Sequence, residues 1–262
     1  MLSGCQTDTT AANNSTEPAN TPTGTLTGFL FNARSIVNKL DVLPLLIDHY
    51  NPKLILVTES WLNSCIPDSI FGLQCNFSLF RKDRTDQSGG GVCVFVANDL
   101  IATVIELPPE LAHLELLCLD LLVCEAKYRL VCCYRPPYYD IHAQNYVIDL
   151  IKCLETLINV EYTVLIAGDL NLPNVDWESF SAPRDKIQHP ISNFMQAEGF
   201  IQYVNQPTRD DRILDVLLCN DSLMISDCSV GPPVGRSDHN TVCFDMLLPM
   251  RDPKKYKCFQ TF

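Results

Sequence analysis

The residues with the clearest chemical potential are carboxylate, amide and imidazole groups that come directly after apolar runs. Asp169 and Asn171 follow the run at 163–167, and Gly168 before them permits a close backbone approach. Two residues apart, their side chains point to the same side if the extended conformation continues. The tetrapeptide Gly168-Asp169-Leu170-Asn171 is equally typical of a turn in which the Asp and Asn side chains hydrogen-bond to their own backbone. The spacing therefore predicts either a pair of functional polar groups or a structural turn.

A second candidate is His239, which follows Ser237 and Asp238. Histidine is the side chain best suited to change its charge near neutral pH. An isolated Asp-His pair is also common in surface loops. Asp215, however, lies inside the apolar run at 213–218, and a buried carboxylate needs a hydrogen-bond partner. A histidine would serve, so we expect Asp215 to pair with one.

A third candidate is Glu59, which stands just beyond the apolar run at 54–57. Taken alone, it is typical of a solvated loop. Hydrolysis of a phosphodiester at neutral pH requires a metal ion to offset charge, a base to orient water, and donors for the phosphoryl oxygens. The chain offers a candidate for each requirement. All of them lie in loops at the ends of predicted strands, where a rigid scaffold commonly holds active-site residues.

The elements that must position these residues are mostly short apolar strands. Apolar runs predict strands at 26–31, 54–57, 92–97, 114–123, 129–134, 163–167, 213–218 and 241–247. Helical spacing of apolar residues predicts helices over 36–50, 146–158 and 190–198. A strict alternation of strands and helices would need more helices. The order therefore predicts an α/β fold of two packed sheets with helices outside.

Composition indicates a folded chain with an acidic surface. Of 262 residues, 47% are hydrophobic and 19% charged, which excludes a disordered protein. The net charge of −12 is unfavourable for a nucleic-acid enzyme, because Lys and Arg drive phosphate binding. The thirteen cysteines are scattered in apolar runs without a Cys-x-x-Cys pair, which indicates reduced thiols in a cytosolic or nuclear protein, not a secreted one.

The two ends of the chain differ from its middle. Residues 1–25 are rich in Thr, Asn, Pro and Ala without periodicity and are predicted to be a disordered leader. Residues 26–248 form the predicted domain, and residues 249–262 are expected to be a polar tail or linker. No apolar stretch is long enough to span a membrane.

Six motifs follow one another in an order that resembles the exonuclease/endonuclease/phosphatase superfamily. They are Asn32-x-Arg34-Ser35, Thr58-Glu59, Tyr134-Arg135-Pro136-Pro137, Gly168-Asp169-x-Asn171, Thr208-Arg209 with Ile213-Leu214-Asp215, and Ser237-Asp238-His239. The series is similar to the apurinic-type endonuclease domain of LINE-type (non-LTR) retrotransposons, from about Leu26 to Leu248. The resemblance implies a DNase I-like, four-layered sandwich of two mixed β-sheets flanked by helices.

The resemblance also implies a role for individual residues. Glu59 would bind Mg²⁺ (Mn²⁺ as a second possibility), with Asn32 beside it and Asp238 close enough to contribute. Asp169 would orient or deprotonate the attacking water. His239 would stabilise the transition state, with Asp215 fixing the orientation of its ring.

Further residues would bind the substrate. Asn171 and Tyr134, helped by Ser237, would hold phosphoryl oxygens, while Thr208 and Arg209 would touch DNA beyond the scissile phosphate. Tyr134 stands where secreted DNases and lipid or inositol phosphatases typically have a histidine, which favours the apurinic-type branch.

To reconcile DNA binding with the acidic total, we expect a basic rim around the site. Its members would be Arg34, Arg135, Arg209, Arg212 and Arg236, together with the cluster Arg81, Lys82 and Arg84.

The resulting hypothesis is a monomeric, metal-dependent endonuclease that nicks duplex DNA and leaves 3′-hydroxyl and 5′-phosphate ends, as in target-primed retrotransposition. Its partners would be DNA and a reverse transcriptase domain, either fused or lost, and it would act in the nucleus after cytoplasmic synthesis. Two alternatives remain open. One is an inactive DNA- or protein-binding module derived from such an enzyme, and the other is a phosphodiesterase or phosphatase for small phosphate esters.

Overall fold

The computed structural model describes residues 24–85 and 88–248, which fold into twelve strands and three α-helices. The strands are β1 (Thr25–Asn32), β2 (Leu54–Thr58), β3 (Phe77–Lys82), β4 (Val92–Ala97), β5 (Ile101–Ile105), β6 (Leu116–Val123), β7 (Ala126–Tyr134), β8 (Val164–Asp169), β9 (Ile201–Gln202), β10 (Asp215–Cys219), β11 (Ile225–Gly231) and β12 (Thr241–Leu247). The helices are α1 (Leu43–Tyr50), α2 (Ile141–Ile158) and α3 (Gln188–Ala197).

The strands form two six-stranded mixed sheets. The first has the order β11-β12-β1-β2-β4-β3 and the second the order β5-β6-β7-β8-β10-β9. The central pairs β1–β2 and β7–β8 are parallel, whereas the other neighbours are antiparallel. The predicted fold class, a DNase I-like α/β sandwich, is confirmed.

Three groups of buried side chains hold the layers together. Leu30, Leu56, Leu119 and Leu217 belong to the group between the two sheets. A second group packs the outer face of the second sheet against α2 and α3, and a third packs the outer face of the first sheet against α1. Strands in the middle of each sheet are therefore covered on both faces, which is why they appear in the sequence as continuous apolar runs.

The predicted helix over 36–50 is broken in two. Residues Ile36–Lys39 form a 3₁₀ turn, and α1 begins only at Leu43 because Pro44 lacks an N–H and is tolerated in a helix only in its first turn. The helix predicted at 146–158 starts earlier, at Ile141, where the Asp140 side chain accepts a hydrogen bond from the Ala143 N–H.

Several strands were missed in the sequence because they are partly exposed. In the edge strands β3 and β5 and in most of β11, apolar residues alternate with polar ones or polar residues predominate, so no continuous apolar run marks the strand. Residues 1–23 of the leader predicted at 1–25, and the tail predicted at 249–262, lie outside the described residues. The last residue of the predicted leader, Thr25, is the first residue of β1. Within the described part of the chain, no helix is long and apolar enough to cross a membrane, and every cysteine is a free thiol.

Candidate active site

The sequence-predicted polar residues converge where the two parallel strand pairs end. Asn32 ends β1 and pairs in register with Thr58, which is followed by Glu59. In the other sheet, Tyr134 ends β7 and pairs with Asp169 at the end of β8. Because both parallel pairs end at the same side of the sandwich, four strand ends from two sheets face one another.

The centre of the site is the side-chain amide of Asn32, which is fully buried. Its Nδ2 donates hydrogen bonds of 2.9 Å to both Glu59 Oε1 and Asp169 Oδ2. Its Oδ1 accepts a hydrogen bond of 3.1 Å from the Arg34 backbone N–H. One amide thus holds a carboxylate from each sheet in a fixed position.

Glu59 is further fixed by two aromatic side chains. The Tyr134 hydroxyl donates to Glu59 Oε1 at 3.3 Å, and Trp61 Nε1 donates to Oε2 at 3.2 Å. The backbone of Glu59 has a φ of 48°, a left-handed conformation that is uncommon outside glycine. This turn directs the carboxylate to the strand ends rather than along the strand.

His239 and Asp215 form the pair expected from the sequence. His239 Nδ1 lies 2.7 Å from Asp215 Oδ2, and both side chains are buried. This distance assigns the Nδ1 proton to the bond with Asp215 and leaves Nε2 for another partner. His239 Nδ1 also lies 3.9 Å from Asp169 Oδ2. The three side chains therefore form one electrostatic unit.

Burial perturbs the protonation of this unit. Burial and the nearby Asp215 charge raise the pKa of Asp169 from 3.8 to about 7, against the lowering influence of His239 and Asn32. Burial alone would lower the pKa of His239, but the hydrogen bond and charge of Asp215, together with the charge of Asp169, raise it to about 9. Near neutral pH, Asp169 is poised to gain or lose a proton and His239 carries one.

The segment around Asp169 combines both of its predicted alternatives. The Asn171 N–H donates to Asp169 Oδ1 at 3.0 Å, which is the hydrogen bond of an Asx turn. Asn171 Nδ2 donates to the Arg135 carbonyl at 2.8 Å, and Asn171 has a φ of 50°. The structural turn therefore positions the functional carboxylate. Gly168 is required before it, since its φ is 143° and a Cβ there would overlap the Cys133 carbonyl.

Three residues predicted to touch phosphate or DNA are placed differently. Arg135 is 1% exposed, and its guanidinium donates to the carbonyls of Leu170, Pro136, Tyr138 and Asn171. The prediction that Arg135 binds DNA is wrong, because its donors are used to fix the two loops.

Thr208 is also buried, and its Oγ1 accepts hydrogen bonds of 3.0 Å from the N–H groups of Leu214 and Asp215. A direct DNA contact is therefore excluded for this side chain. Ser237 Oγ donates to the Asn32 carbonyl at 2.7 Å and accepts from the His239 N–H at 3.2 Å. With its proton used in this way, Ser237 positions the His239 loop and does not serve as a phosphate donor.

Asp238 does not join Glu59 and Asn32. Its two oxygens form ion pairs with Arg34 at 3.1 Å and Arg209 at 2.8 Å. Burial tends to raise the pKa of Asp238, but the charge of Arg209 and its other neighbours lowers it overall. The predicted metal-binding role of Asp238 is not supported by this geometry, since both oxygens are already bound to cations.

The predicted basic rim is largely neutralised. Arg34 and Arg209 share Asp238, while Arg81 pairs with Asp68 and Asp83, and Arg84 with Glu115. Arg236, three residues before His239 in the chain, is exposed. The positive charge that remains free on this surface is smaller than the sequence suggested.

Oxygen atoms suited to a hard cation lie at the strand ends. The Glu59 carboxylate is the kind of ligand that Mg²⁺ and Mn²⁺ prefer, whereas Asn32 turns its Nδ2 to Glu59 and its Oδ1 to the Arg34 N–H. Asp169, Asp215 and His239 also have ligand atoms within 4.8 Å of one another. In this second group His239 Nδ1 is bonded to Asp215, and that bond orients the ring. The donor set at Glu59 therefore fits a divalent metal.

Two features of the site were missed in the sequence. Trp61, which holds Glu59, is 40% exposed and could have been noticed as a large aromatic residue two positions after a candidate ligand. The Arg84–Glu115 pair could not have been noticed in the sequence, because its two residues are 31 positions apart and no sequence pattern links them.

Comparisons with known proteins agree with this fold. Residues 128–243 match the protein family described as endonuclease-reverse transcriptase. No curated protein sequence matches the chain significantly. The solved endonuclease domain of TRAS1, a telomere-specific non-LTR retrotransposon, is 15% identical with a TM-score of 0.64, covering 86% of this chain and 99% of that one.

Apurinic-type (AP) endonucleases are similar in fold as well. The enzyme from Leishmania major is 17% identical with a TM-score of 0.65, covering 86% of this chain and 88% of that one. The enzyme from Archaeoglobus fulgidus is 12% identical with a TM-score of 0.62, covering 84% and 98%. Part of the chain thus matches the endonuclease-reverse transcriptase family, and the described residues share the fold of these endonucleases. The chain is similar to the endonuclease domain of a non-LTR retrotransposon.

Proposed function

We propose that the protein is a metal-dependent endonuclease that nicks duplex DNA by hydrolysing a phosphodiester bond. The observation that carries the proposal is the Asn32 amide, which joins Glu59 of one sheet to Asp169 of the other at 2.9 Å each. A cation ligand and a base of near-neutral pKa are thereby held side by side. The AP endonuclease and TRAS1 folds support a nucleic-acid substrate over a small phosphate ester.

A divalent cation bound by Glu59, whose carboxylate Asn32 holds in place, would offset the negative charge of the scissile phosphate. Asp169 accepts the proton of the attacking water, since its raised pKa matches a general base that works near neutral pH. The protonated ring of His239 donates from Nε2 to a phosphoryl oxygen as charge develops there, while Asp215 holds Nδ1.

Tyr134 and Asn171 have separate roles in this mechanism. The Tyr134 hydroxyl lies 3.3 Å from Glu59 Oε1, and burial together with neighbouring carboxylates raises the pKa of Tyr134 far above its usual range. It therefore stays protonated and gives its one proton to Glu59, whose carboxylate it holds in place. Asn171 has a second Nδ2 proton beside the one given to Arg135, and this proton is its donor to the phosphate.

Cleavage on the 3′-oxygen side would leave a 3′-hydroxyl and a 5′-phosphate. A 3′-hydroxyl can prime reverse transcription, which fits the family description that joins an endonuclease to a reverse transcriptase. The partners in this proposal are DNA and a reverse transcriptase, and the site of action is the nucleus, where chromosomal targets lie.

The test is a plasmid assay with the purified protein and Mg²⁺ or Mn²⁺. Supercoiled plasmid should become open-circular with the wild type, whereas Asp169→Ala and His239→Ala should each lower the rate by at least about 10²-fold. Asp48→Ala, an exposed change on α1, is the control for removal of a carboxylate. Sequencing of the cut ends identifies the terminal groups.

An intact plasmid with the wild type, under conditions in which a known nicking enzyme cuts, would refute the proposed activity. Small phosphate esters and an abasic oligonucleotide, assayed in parallel, test the other substrates. Faster turnover of the esters than of DNA would move the protein to a different substrate class. Full activity in both active-site variants would refute the residue roles.

A further inference from the structure

The loop that carries Glu59 is held from outside by a glycine segment, Gly90–Gly91. The Ser60 N–H donates to the Gly91 carbonyl at 3.1 Å, and the Trp61 N–H donates to the Gly90 carbonyl at 2.9 Å. The two residues after Glu59 are therefore bound to the backbone of a segment that precedes β4. The position of Glu59 depends on where this segment lies.

A buried ion pair, Glu115–Arg84, fixes the glycine segment in turn. Glu115 Oε2 accepts a hydrogen bond from the Gly91 N–H, and Glu115 Oε1 accepts from Arg84 Nε at 3.0 Å. The Glu115 and Arg84 side chains are only 7% and 12% exposed. A pair this well buried is held in one geometry, because an alternative would leave a charge without a partner.

The glycines allow the pair to approach this closely. Gly90 and Gly91 have φ values of 64° and 77°, which disfavour any residue with a side chain. A Cβ at Gly90 would overlap Glu115 Oε2 and the Arg84 guanidinium, and one at Gly91 would lie 2.9 Å from Ser60 Oγ. The segment is thus shaped to receive a carboxylate on one side and the Glu59 loop on the other.

The same pair also reaches the opposite sheet. The Tyr134 N–H donates to the Glu115 carbonyl at 2.8 Å, and the Arg84 guanidinium lies 5.9 Å from the centre of the Tyr134 ring. Tyr134 in turn donates to Glu59. The Glu115 side chain therefore holds the segment behind the Glu59 loop, and the Arg84 guanidinium lies near the ring of Tyr134, whose hydroxyl bonds Glu59.

We propose that Glu115 and Arg84 are positioning residues that hold Glu59 in the geometry needed to bind the divalent cation. This inference rests on the proposed function, in which Glu59 is the metal ligand. Groups behind a metal ligand commonly change metal affinity by about 10–100-fold when removed.

The protein contains a matched control for this idea. Asp120 and Arg129 form a second buried ion pair between β6 and β7, with side chains 7% and 9% exposed. Asp120 is five residues along the chain from Glu115, about 16 Å at the rise of a strand, and away from the strand ends. Removing either pair costs stability, but only Glu115–Arg84 contacts the Glu59 loop.

Metal binding can be measured without catalysis. The chain has two tryptophans, so a Trp177→Phe background leaves Trp61, whose Nε1 donates to Glu59 Oε2, as the only fluorophore of its kind. Quenching of Trp61 fluorescence by Mn²⁺ then reports binding at Glu59. The variant Glu59→Gln, made in the same Trp177→Phe background, is the control. Any quenching that remains in it comes from Mn²⁺ bound elsewhere on the acidic surface.

Glu115→Ala and Arg84→Ala should each raise the Kd for Mn²⁺ by about 10-fold or more, and Asp120→Ala by less than about 2-fold, at a similar loss of thermal stability. Nicking by Glu115→Ala should recover towards the wild-type rate as Mn²⁺ is raised, whereas Asp169→Ala should not recover. If Glu115→Ala does not fold, Arg84→Lys is titrated with Mn²⁺ in its place. This variant keeps the positive charge but loses the hydrogen bond from Arg84 Nε to Glu115, and it should also bind Mn²⁺ more weakly than the wild type.

Equal Mn²⁺ affinity in the Glu115, Arg84 and Asp120 variants would overturn the proposal. So would a wild type that binds no Mn²⁺ beyond the Glu59→Gln level. A wild type that binds Mn²⁺ at Glu59 but leaves plasmid intact would refute the nuclease activity alone, because the titration does not depend on DNA.

Discussion

The substitution Asp169→Asn should abolish nicking and yet stabilise the protein. Burial and the charge of Asp215 raise the pKa of Asp169 from 3.8 to about 7. Above pH 7, the ionised Asp169 carboxylate therefore lowers the free energy of unfolding by about 4 kcal/mol, at about 1.4 kcal/mol per pKa unit. Asparagine carries no charge, but it replaces one acceptor with a donor and so loses a hydrogen bond from Asn32 or Asn171, which costs about 1–3 kcal/mol.

The expected gain is about 2 kcal/mol at pH 8, or a rise in Tm of about 4–8 °C for a domain of this size. The measurement is thermal unfolding in EDTA, so that no cation offsets the carboxylate. Asp48→Asn on the exposed face of α1 is the control and should change the free energy of unfolding by less than about 0.5 kcal/mol.

The effect must also depend on pH in one direction. The unfolded carboxyl group loses its proton near pH 3.8, whereas the folded one keeps it to about pH 7, so wild-type stability falls as the pH rises through this window. Asp169→Asn lacks this fall, and its advantage should shrink as the pH is lowered from 7 towards 4. A variant less stable than the wild type at pH 8 would show that the site does not disfavour the charged carboxylate.

Two further predictions concern His239 and the arginines. Asp215→Asn should lower the rate of nicking about 10²–10⁴-fold. It should also move the alkaline limb of the pH–rate profile to lower pH, because the hydrogen bond and charge of Asp215 raise the pKa of His239 to about 9. An alkaline limb that stays at the same pH would exclude His239 as the acid. Arg135→Lys should destabilise the fold by about 2–4 kcal/mol in denaturant unfolding, since four carbonyls lose a planar donor, whereas Arg209→Lys should change stability by less than about 0.5 kcal/mol. Equal losses for the two arginines would contradict the assigned positions.

The position of the site followed from the sequence because strand ends are readable. Runs covered on both faces, such as β2 and β8, are uniformly apolar, and the first polar residues after them must lie at an edge of the sheet. Asp215 was a special case, since a carboxylate in a buried strand requires a partner and His239 is close in space. Partly exposed edge strands such as β5 have no such contrast and were missed.

The roles of the peripheral residues could not be predicted in the same way. Arg135 and Thr208 have the chemistry of phosphate contacts, but their burial depends on which carbonyl and N–H groups the loops bring near them. Likewise, nothing in the sequence indicated that Asp238 would be bound by Arg34 and Arg209 rather than by a metal. Residue type indicates what a side chain is able to do, and only the tertiary structure decides which partner it has.

The pairing of β1 with β12 also determines how the domain connects to the rest of its chain. Gly24 and Leu248 are joined by a backbone hydrogen bond of 2.9 Å, so both ends of the described domain emerge together. β1 then runs eight residues to Asn32, which separates the exit point from the catalytic centre by about 23 Å. Under the proposed function, a reverse transcriptase fused at that end would be attached about seven base pairs of duplex DNA away from the cut end.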